Sequence, residues 1–261
     1  MTVYAPGFSA NLGFLWTELS LPDAIRAAAQ NGFTAVECHW PYQEDAGAVQ
    51  SALTETGLEM LGLNTDRGDV ANGENGLTAL PGREDDARSA IDQAIDYASR
   101  LGTRNVHVMA GNSTGEQAHA TFVSNLRYAC AKAAENGITI MIEPLNRYDA
   151  PDYFLKTSEQ ALEIIREVSE PNLKLMFDCY HLQIMEGDIS RRLEKCLSDI
   201  GHIQIASVPD RAEPDRGELN YDHVVKTLNA LGYGAPLGAE YKPAGGSTDE
   251  GLDWMKLFPR R

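Results

Sequence analysis

Long apolar runs are missing from this 261-residue chain: none approaches the roughly 20 residues that cross a bilayer, so no membrane partner is expected and the chain should be soluble. Cysteine is scarce. Cys38, Cys130, Cys179 and Cys196 show no C-x-x-C spacing and are expected to be reduced core thiols rather than bridges. Positive charge is in deficit as well, since 22 Lys and Arg face 38 Asp and Glu, a net of −16. A field of that sign repels phosphate backbones, which argues against a nucleic-acid partner, although a local Arg contact can still hold a small anion. Met1 to Pro6 carries neither a basic segment nor an apolar one, so no secretory signal is read there and a cytoplasmic location is expected. No G-x-G-x-x-G or Walker pattern follows any β-prone run, which removes the usual nucleotide-binding alternatives.

What the chain does contain is four oxygen-bearing side chains at the ends of four apolar runs: Ile-Met-Ile-Glu143, Leu-Met-Phe-Asp178, His-Ile-Gln204 and Leu-Gly-Ala-Glu240. Each run is short, β-prone and bounded by turn signals, as a buried parallel strand is. Successive members lie roughly 30 residues apart, the length of a strand, crossover helix and return strand. Parallel strands end on the same side of a sheet, so the four side chains converge although they are distant in sequence. Three carboxylates and one amide form an oxygen-only set that suits a hard divalent cation, Mg²⁺ or Mn²⁺, better than zinc. The plain alternative for any one of them is a helix cap or a solvated loop residue. Four in register, two of them inside apolar runs, favour the metal site, because buried charge requires compensation.

Strands are expected near residues 8–12, 35–38, 60–63, 105–109, 139–143, 174–178, 202–206 and 237–241, with helical patterns between them. In the third helix Ala87, Ile91, Ala94, Ile95, Ala98 and Leu101 recur at three- and four-residue steps. The fifth opens with Thr157 and Gln160 in capping-box spacing. Gly32, Gly102, Gly137 and Gly232 each punctuate a helix end. Eight such units in a chain with no linker-like tract predict a single (β/α)₈ TIM barrel, α/β in class, spanning residues 1–261 as one domain. The loops after the strands then carry function, and three are long: residues 64–82, which suits a lid or substrate cover, 146–153, and 207–220.

The chain resembles the hydroxypyruvate isomerase family, a branch of the xylose-isomerase-like TIM barrels that lies close to the 2-oxo-tetronate isomerases. The resemblance runs nearly end to end. It is carried by Asn64-Thr65 with Gly68-Asp69, by Gly76-Leu-Thr-Ala-Leu-Pro-Gly-Arg-Glu84, by Val106-His-Val-Met-Ala-Gly111 and by Asp178 with His181. Further stretches are Gly201-His-Ile-Gln-Ile-Ala206, Pro209-Asp-Arg211 with Glu213-Pro214, and Glu240-Tyr-Lys-Pro243. The resemblance implies that Glu143, Asp178, Gln204 and Glu240 hold the metal and that Glu143 and Glu240 also move protons. Related ketose 3-epimerases usually have His where Gln204 stands, a departure that favours the isomerase branch.

The implied reaction interconverts hydroxypyruvate and tartronate semialdehyde through an enediolate, with a hydride shift as the competing route. General acid–base transfer contributes about 10²–10⁴ in rate, so stabilisation of developing charge by the metal must supply much of the remainder. Arg211 and Lys242 lie just beyond ligand-bearing strand ends and are the candidates for the substrate carboxylate; surface solvation competes for Lys242. Glu213 either orients Arg211 or caps the next turn. His181, three residues past Asp178, is read as a substrate contact against a structural imidazole, and His107 as pointing into the barrel mouth against a hydrogen-bonded core histidine. Trp16 and Trp40 serve equally as pocket wall, core or oligomer contact, so a homo-oligomer is compatible with the sequence. Phe8 and Leu12 read as packing residues.

Three rivals stand beside this reading. A 2-oxo-tetronate isomerase or a ketose 3-epimerase keeps the chemistry and changes the substrate; the cations disfavour an uncharged sugar but do not separate three carbons from four. An apurinic DNA endonuclease on the same barrel requires a His-rich zinc cluster and a basic groove, against six histidines and the wrong charge sign here. A non-catalytic binding protein is opposed by retention of both Glu143 and Glu240.

Overall fold

A computed structural model describes residues 6–258. The segment read for a secretory signal lies, apart from Pro6, outside them. The described chain alternates strand and helix for most of its length, and by compactness it divides into two units.

The first unit comprises the chain up to Leu61, Asp178–Ser198, and the chain from His202 onward. Its strands are β1 (Phe8–Asn11), β2 (Ala35–Glu37), β3 (Glu59–Met60) and β9 (Leu237–Ala239), with most of β8 (Ile200–Ile205). They run parallel in the order β3-β2-β1-β9-β8. Register is what places the chemistry: β1 sets Asn11 opposite Glu37, and Gln204 of β8 pairs with Gly238. The helices are α1 (Leu21–Gln30), α2 (Ala46–Thr56), α6 (Cys179–Met185), α7 (Ile189–Cys196) and α8 (Tyr221–Ala230). Phe8 and Leu12 are buried, and Phe8 meets Trp254 edge to face at 4.7 Å, while Trp254 Nε1 donates to the Tyr241 hydroxyl at 3.1 Å. These ring contacts pack Phe8 of β1 and Tyr241, just past β9, against the same indole.

The second unit, Gly62–Phe177 with Asp199–Gly201, holds β4 (Gly62–Asn64), β5 (Asn105–His107), β6 (Thr139–Ile142) and the body of β7 (Leu173–Asp178), parallel in sequence order. Its helices are α3 (Glu84–Leu101), α4 (Gly115–Ala134) and α5 (Ser158–Val168). The expected stripe of α3 is buried along its length, from Ala87 through Ile91, Ala94, Ile95 and Ala98 to Leu101. Gly102 ends that helix at φ 70°, a left-handed conformation that costs a residue without a Cβ nothing. Thr157 caps α5 by accepting from Gln160 N at 3.2 Å, and the Gln160 side chain reaches back to Lys156 N rather than to Thr157 N.

Two expectations change in detail. The single strand expected at 60–63 is two, because Glu59–Met60 joins the ladder of β2, Leu61 N donates to Val36 O, and Gly62–Asn64 pairs with β5 instead. After β9 the chain turns into a 3₁₀ segment, Asp249–Leu257, where an eighth α-helix was expected.

The long loop 64–82 is tied down by its own hydrogen bonds. Asp69 caps a 3₁₀ turn at Val70–Asn72, Ala79 N donates to Ala110 O, and Asn125 Nδ2 donates to Thr78 O. Gly76 and Gly111 pass so closely that a Cβ on Gly111 would lie 2.2 Å from the Gly76 carbonyl oxygen.

Candidate metal and substrate site

Asp178 is the last residue of β7 and the N-cap of α6; its carboxylate accepts from Tyr180 N at 2.8 Å. The helix-cap reading therefore holds for Oδ1 and leaves Oδ2 outside the cap. Oδ2 is buried without a hydrogen-bond donor, 3.6 Å from His181 Nε2 and 3.7 Å from the Arg211 guanidinium. Gln204, inside β8, donates its amide N–H to Glu37 at 2.9 Å, and its Oε1 is likewise buried without a donor. Two buried oxygens left unsatisfied in one unit are what a hard cation would complete, since such groups otherwise cost about 1–3 kcal/mol each. The donor chemistry fits Mg²⁺ or Mn²⁺.

Glu240 follows β9 and is the most heavily bonded carboxylate of the group. Oε1 accepts from Asn11 Nδ2 at 3.0 Å and faces His39 Nε2 at 2.9 Å, while Oε2 accepts from Arg211 at 2.6 Å. Burial acts to raise its pKa, but Arg211 and then His39 outweigh that and hold the carboxyl well below the usual carboxylate range. Asp178 goes the other way. Burial dominates, Arg211 only partly offsets it, and the nearby Glu240 charge adds to it, so its carboxyl is pushed up to about 7.

Arg211 sits at the turn after β8 with φ 53°, fixed by its own N–H to Ser207 O and by Lys242 N donating to its carbonyl at 2.8 Å. Its guanidinium lies between the Phe14 and Tyr180 rings, 4.9 and 5.0 Å from their centroids. Stacking and the bond to Glu240 together aim this cation at the carboxylates. Lys242 is exposed, with Nζ 5.6 Å from the Phe14 ring. Glu213 is buried, accepts from Ala244 N at 3.1 Å and faces Arg216 at 3.6 Å, so these contacts tie the two loops that carry Arg211 and Lys242.

In the second unit, Glu143 directly follows β6 and His107 ends β5; both are buried, with His107 Nδ1 3.5 Å from Glu143 Oε2. Tyr153, whose hydroxyl accepts from Ala110 N at 2.8 Å, is pushed up by burial and, further, by the Glu143 charge.

Asn11, Phe14, Glu37, His39 and Tyr180 take part in the first unit's arrangement without having been singled out in the sequence. Glu37 alone left a trace, as an acid ending the β-prone run Ala-Val-Glu. Trp16 and Trp40 both line a cavity of about 310 Å³ that His39 also borders, and Trp16 Nε1 donates to Asp249 at 2.9 Å. All four cysteines are buried as free thiols.

Donorless oxygens on Asp178 and Gln204 near the C-terminal ends of parallel strands, with Arg211 against Asp178 and Glu240, suit a small polar ligand at the loop end of a barrel. Residues 25–258 match the family described as xylose isomerase-like TIM barrel, and the chain belongs to it: the fold is the (β/α)₈ barrel that the alternation predicted. A 2-oxo-tetronate isomerase of Cupriavidus necator is 44% identical over 97% of this chain and 98% of its own. The hydroxypyruvate isomerase of Escherichia coli is 40% identical, covering 96% and 98%. A crystal structure of a Brucella melitensis protein described as an AP endonuclease of family 2 superposes with a TM-score of 0.93 at 40% identity, covering 97% of this chain and 99% of that one. With relatives this similar named isomerases, the chain is an enzyme, an isomerase of that family. Among the described residues no helix is long and apolar enough to cross a membrane.

Proposed function

We propose that this enzyme interconverts hydroxypyruvate and tartronate semialdehyde by proton transfer through an enediolate. The observation that carries the proposal is the buried Asp178, Gln204 and Glu240 set with two donorless oxygens and Arg211 within 2.6 Å of Glu240. Asp178, Gln204 and Glu240, with Glu143 at the end of its own strand, are the proposed ligands, and Mg²⁺ or Mn²⁺ the proposed metal. A bound divalent cation would stabilise negative charge developing on the substrate oxygens.

This chain's own residues do the rest. Glu240 is ionised in the resting site but too acidic to be a strong base while Arg211 and His39 hold it. A substrate carboxylate that draws the Arg211 guanidinium to itself removes the largest interaction depressing Glu240, so binding raises its basicity towards the range in which it accepts a carbon-bound proton. Glu143, entering the step protonated, is assigned delivery of that proton to the neighbouring carbon, and the substrate hydroxyl proton passes to the former carbonyl oxygen. Exchange with solvent takes the proton from Glu240 and restores one to Glu143. His181, beside Asp178, and His107, beside Glu143, are assigned to substrate oxygens, and Lys242 with Glu213 to the rim that presents Arg211.

A second reading, the four-carbon 2-oxo-tetronate, is favoured by the likeness to the Cupriavidus protein. An uncharged sugar brings no carboxylate to compete with Glu240 for Arg211. DNA repair, suggested by the description of the Brucella structure, is opposed by the net charge of −16. We further propose that the chain is one domain, that it is cytoplasmic and takes a small anionic hydroxy-keto acid rather than nucleic acid or membrane as its partner, and that a homo-oligomer is compatible with this chemistry.

The test is metal-stripped enzyme reloaded with Mg²⁺ or Mn²⁺ and followed by NMR in D₂O with hydroxypyruvate, then with a 2-oxo-tetronate. Metal-dependent turnover with deuterium entering the product is expected, the faster acid naming the substrate. Glu240→Gln should stay folded and lose at least about 10² in kcat. No turnover on either acid, or an undiminished Glu240→Gln enzyme, sinks the proposal.

A further inference from the structure

Below Gln204 lies a carboxylate that no proposed step uses. Glu37 ends β2, is buried, and collects three side-chain partners: His202 Nε2 at 2.6 Å on Oε2, and Gln204 Nε2 at 2.9 Å and Asn11 Nδ2 at 3.1 Å, both on Oε1. Asn11 donates to Glu240 as well, while its own oxygen accepts from Gly13 N at 3.0 Å. One buried acid is thus joined directly to one member of the proposed ligand set and through a single amide to another.

An ionised carboxylate can only accept. A primary amide has two different ends, and whichever end faces Glu37 must be the NH₂, because the oxygen would meet lone pairs. Glu37 therefore dictates that Gln204 turns its oxygen the other way, and that oxygen is the one left buried without a donor. Flipped, Gln204 would present N–H groups to a cation and repel it.

The neighbouring strand leaves space for this arrangement. A Cβ on Gly238 would come within 2.7 Å of His202 Nε2 and 2.8 Å of both Gln204 Cγ and Glu37 Oε1. Its backbone is in an ordinary conformation, so the glycine answers to the close approach of these three side chains and not to the turn of the chain.

We infer that Glu37 is a positioning residue for the metal site: it selects the amide orientation of Gln204 and, through Asn11, the placement of Glu240. This rests on the reading that a divalent cation binds Asp178, Gln204 and Glu240. Loss of such a supporting partner typically weakens metal affinity by about 10–100-fold.

The experiment is Mn²⁺ titration by calorimetry on wild type, Glu37→Gln, Gln204→Glu and the exchanged pair Glu37→Gln/Gln204→Glu, with circular dichroism to confirm folding. Glu37→Gln lets the flipped amide of Gln204 find a donor and should weaken Mn²⁺ by about 10-fold or more. Gln204→Glu sets two carboxylates together and should weaken it too. In the exchanged pair the amide now on β2 donates to a carboxylate on β8 that has no wrong end, and affinity should return to within about fivefold of wild type, a recovery that a merely structural role does not give. Wild-type affinity in Glu37→Gln, or additive loss in the pair, overturns the positioning role. If Glu37→Gln does not fold, the exchanged pair alone decides by whether it binds Mn²⁺. Failure of the wild type to bind Mn²⁺ removes the metal reading itself, and this inference with it.

Discussion

Asp178 and Glu240 show how burial alone does not fix the ionisation of a carboxylate. Both are buried, yet Glu240 has the shorter approach to Arg211, 2.6 Å against 3.7 Å, and His39 besides. Its folded pKa is depressed, so its contribution to stability is present above the unfolded value and lost only as pH falls well into the acid range. Asp178 has the opposite sign. With a folded value raised to about 7 from 3.8, it keeps a proton that the unfolded chain has released, and its stabilising contribution is full below the unfolded value and disappears as pH rises through 7. Metal-free wild type is therefore expected to lose melting temperature between about pH 5 and about pH 8 more steeply than metal-free Asp178→Asn, which has no proton to lose there. Parallel slopes in differential scanning calorimetry would show that Asp178 titrates as an ordinary carboxyl.

At the scale of elements, the helix signals written in the chain act where they are written. The α5 cap joins Thr157 to Gln160 N and Gln160 to Lys156 N, satisfying one N–H that the first turn leaves open and one just before the cap. Thr157→Ala should cost about 1 kcal/mol in urea denaturation, with the slope against urea unchanged. A loss below about 0.3 kcal/mol would mean that packing of Ala161, Leu162, Ile164 and Ile165 sets the helix start without the cap. The division of the expected third strand at Leu61 was not legible, because side-chain alternation looks the same whichever neighbour a strand pairs with. Hydrogen bonds decide that point, and Leu61 N spends its bond on Val36 O.

For the whole molecule, a net charge of −16 and buried carboxylates make cation binding and stability one question. A ligand that binds only the folded chain stabilises it by mass action, about 2.7 kcal/mol at 100 times its Kd. Saturating Mn²⁺ added to chelator-stripped protein should raise the melting temperature by several degrees. The triple variant Asp178→Asn/Gln204→Leu/Glu240→Gln should show no such rise, and an equal rise in it would place the stabilising cation elsewhere.

The barrel, the helix stops and the oxygen-bearing strand ends are legible in the chain, because periodicity, capping and position along a strand are local properties. Asp178, Gln204 and Glu240 were readable in this way, each closing or lying in an apolar run. Their surroundings come from the folded chain. Asn11 meets Glu240 across 229 residues, His39 meets it across 201, and His202 meets Glu37 across 165. Arg211 could be placed beyond a strand end from the sequence, but its turn towards Glu240 depends on a left-handed backbone and on two rings from separate segments. Those pairings are set by strand register and close packing, which join residues by distance in space, and sequence separation carries no record of that distance.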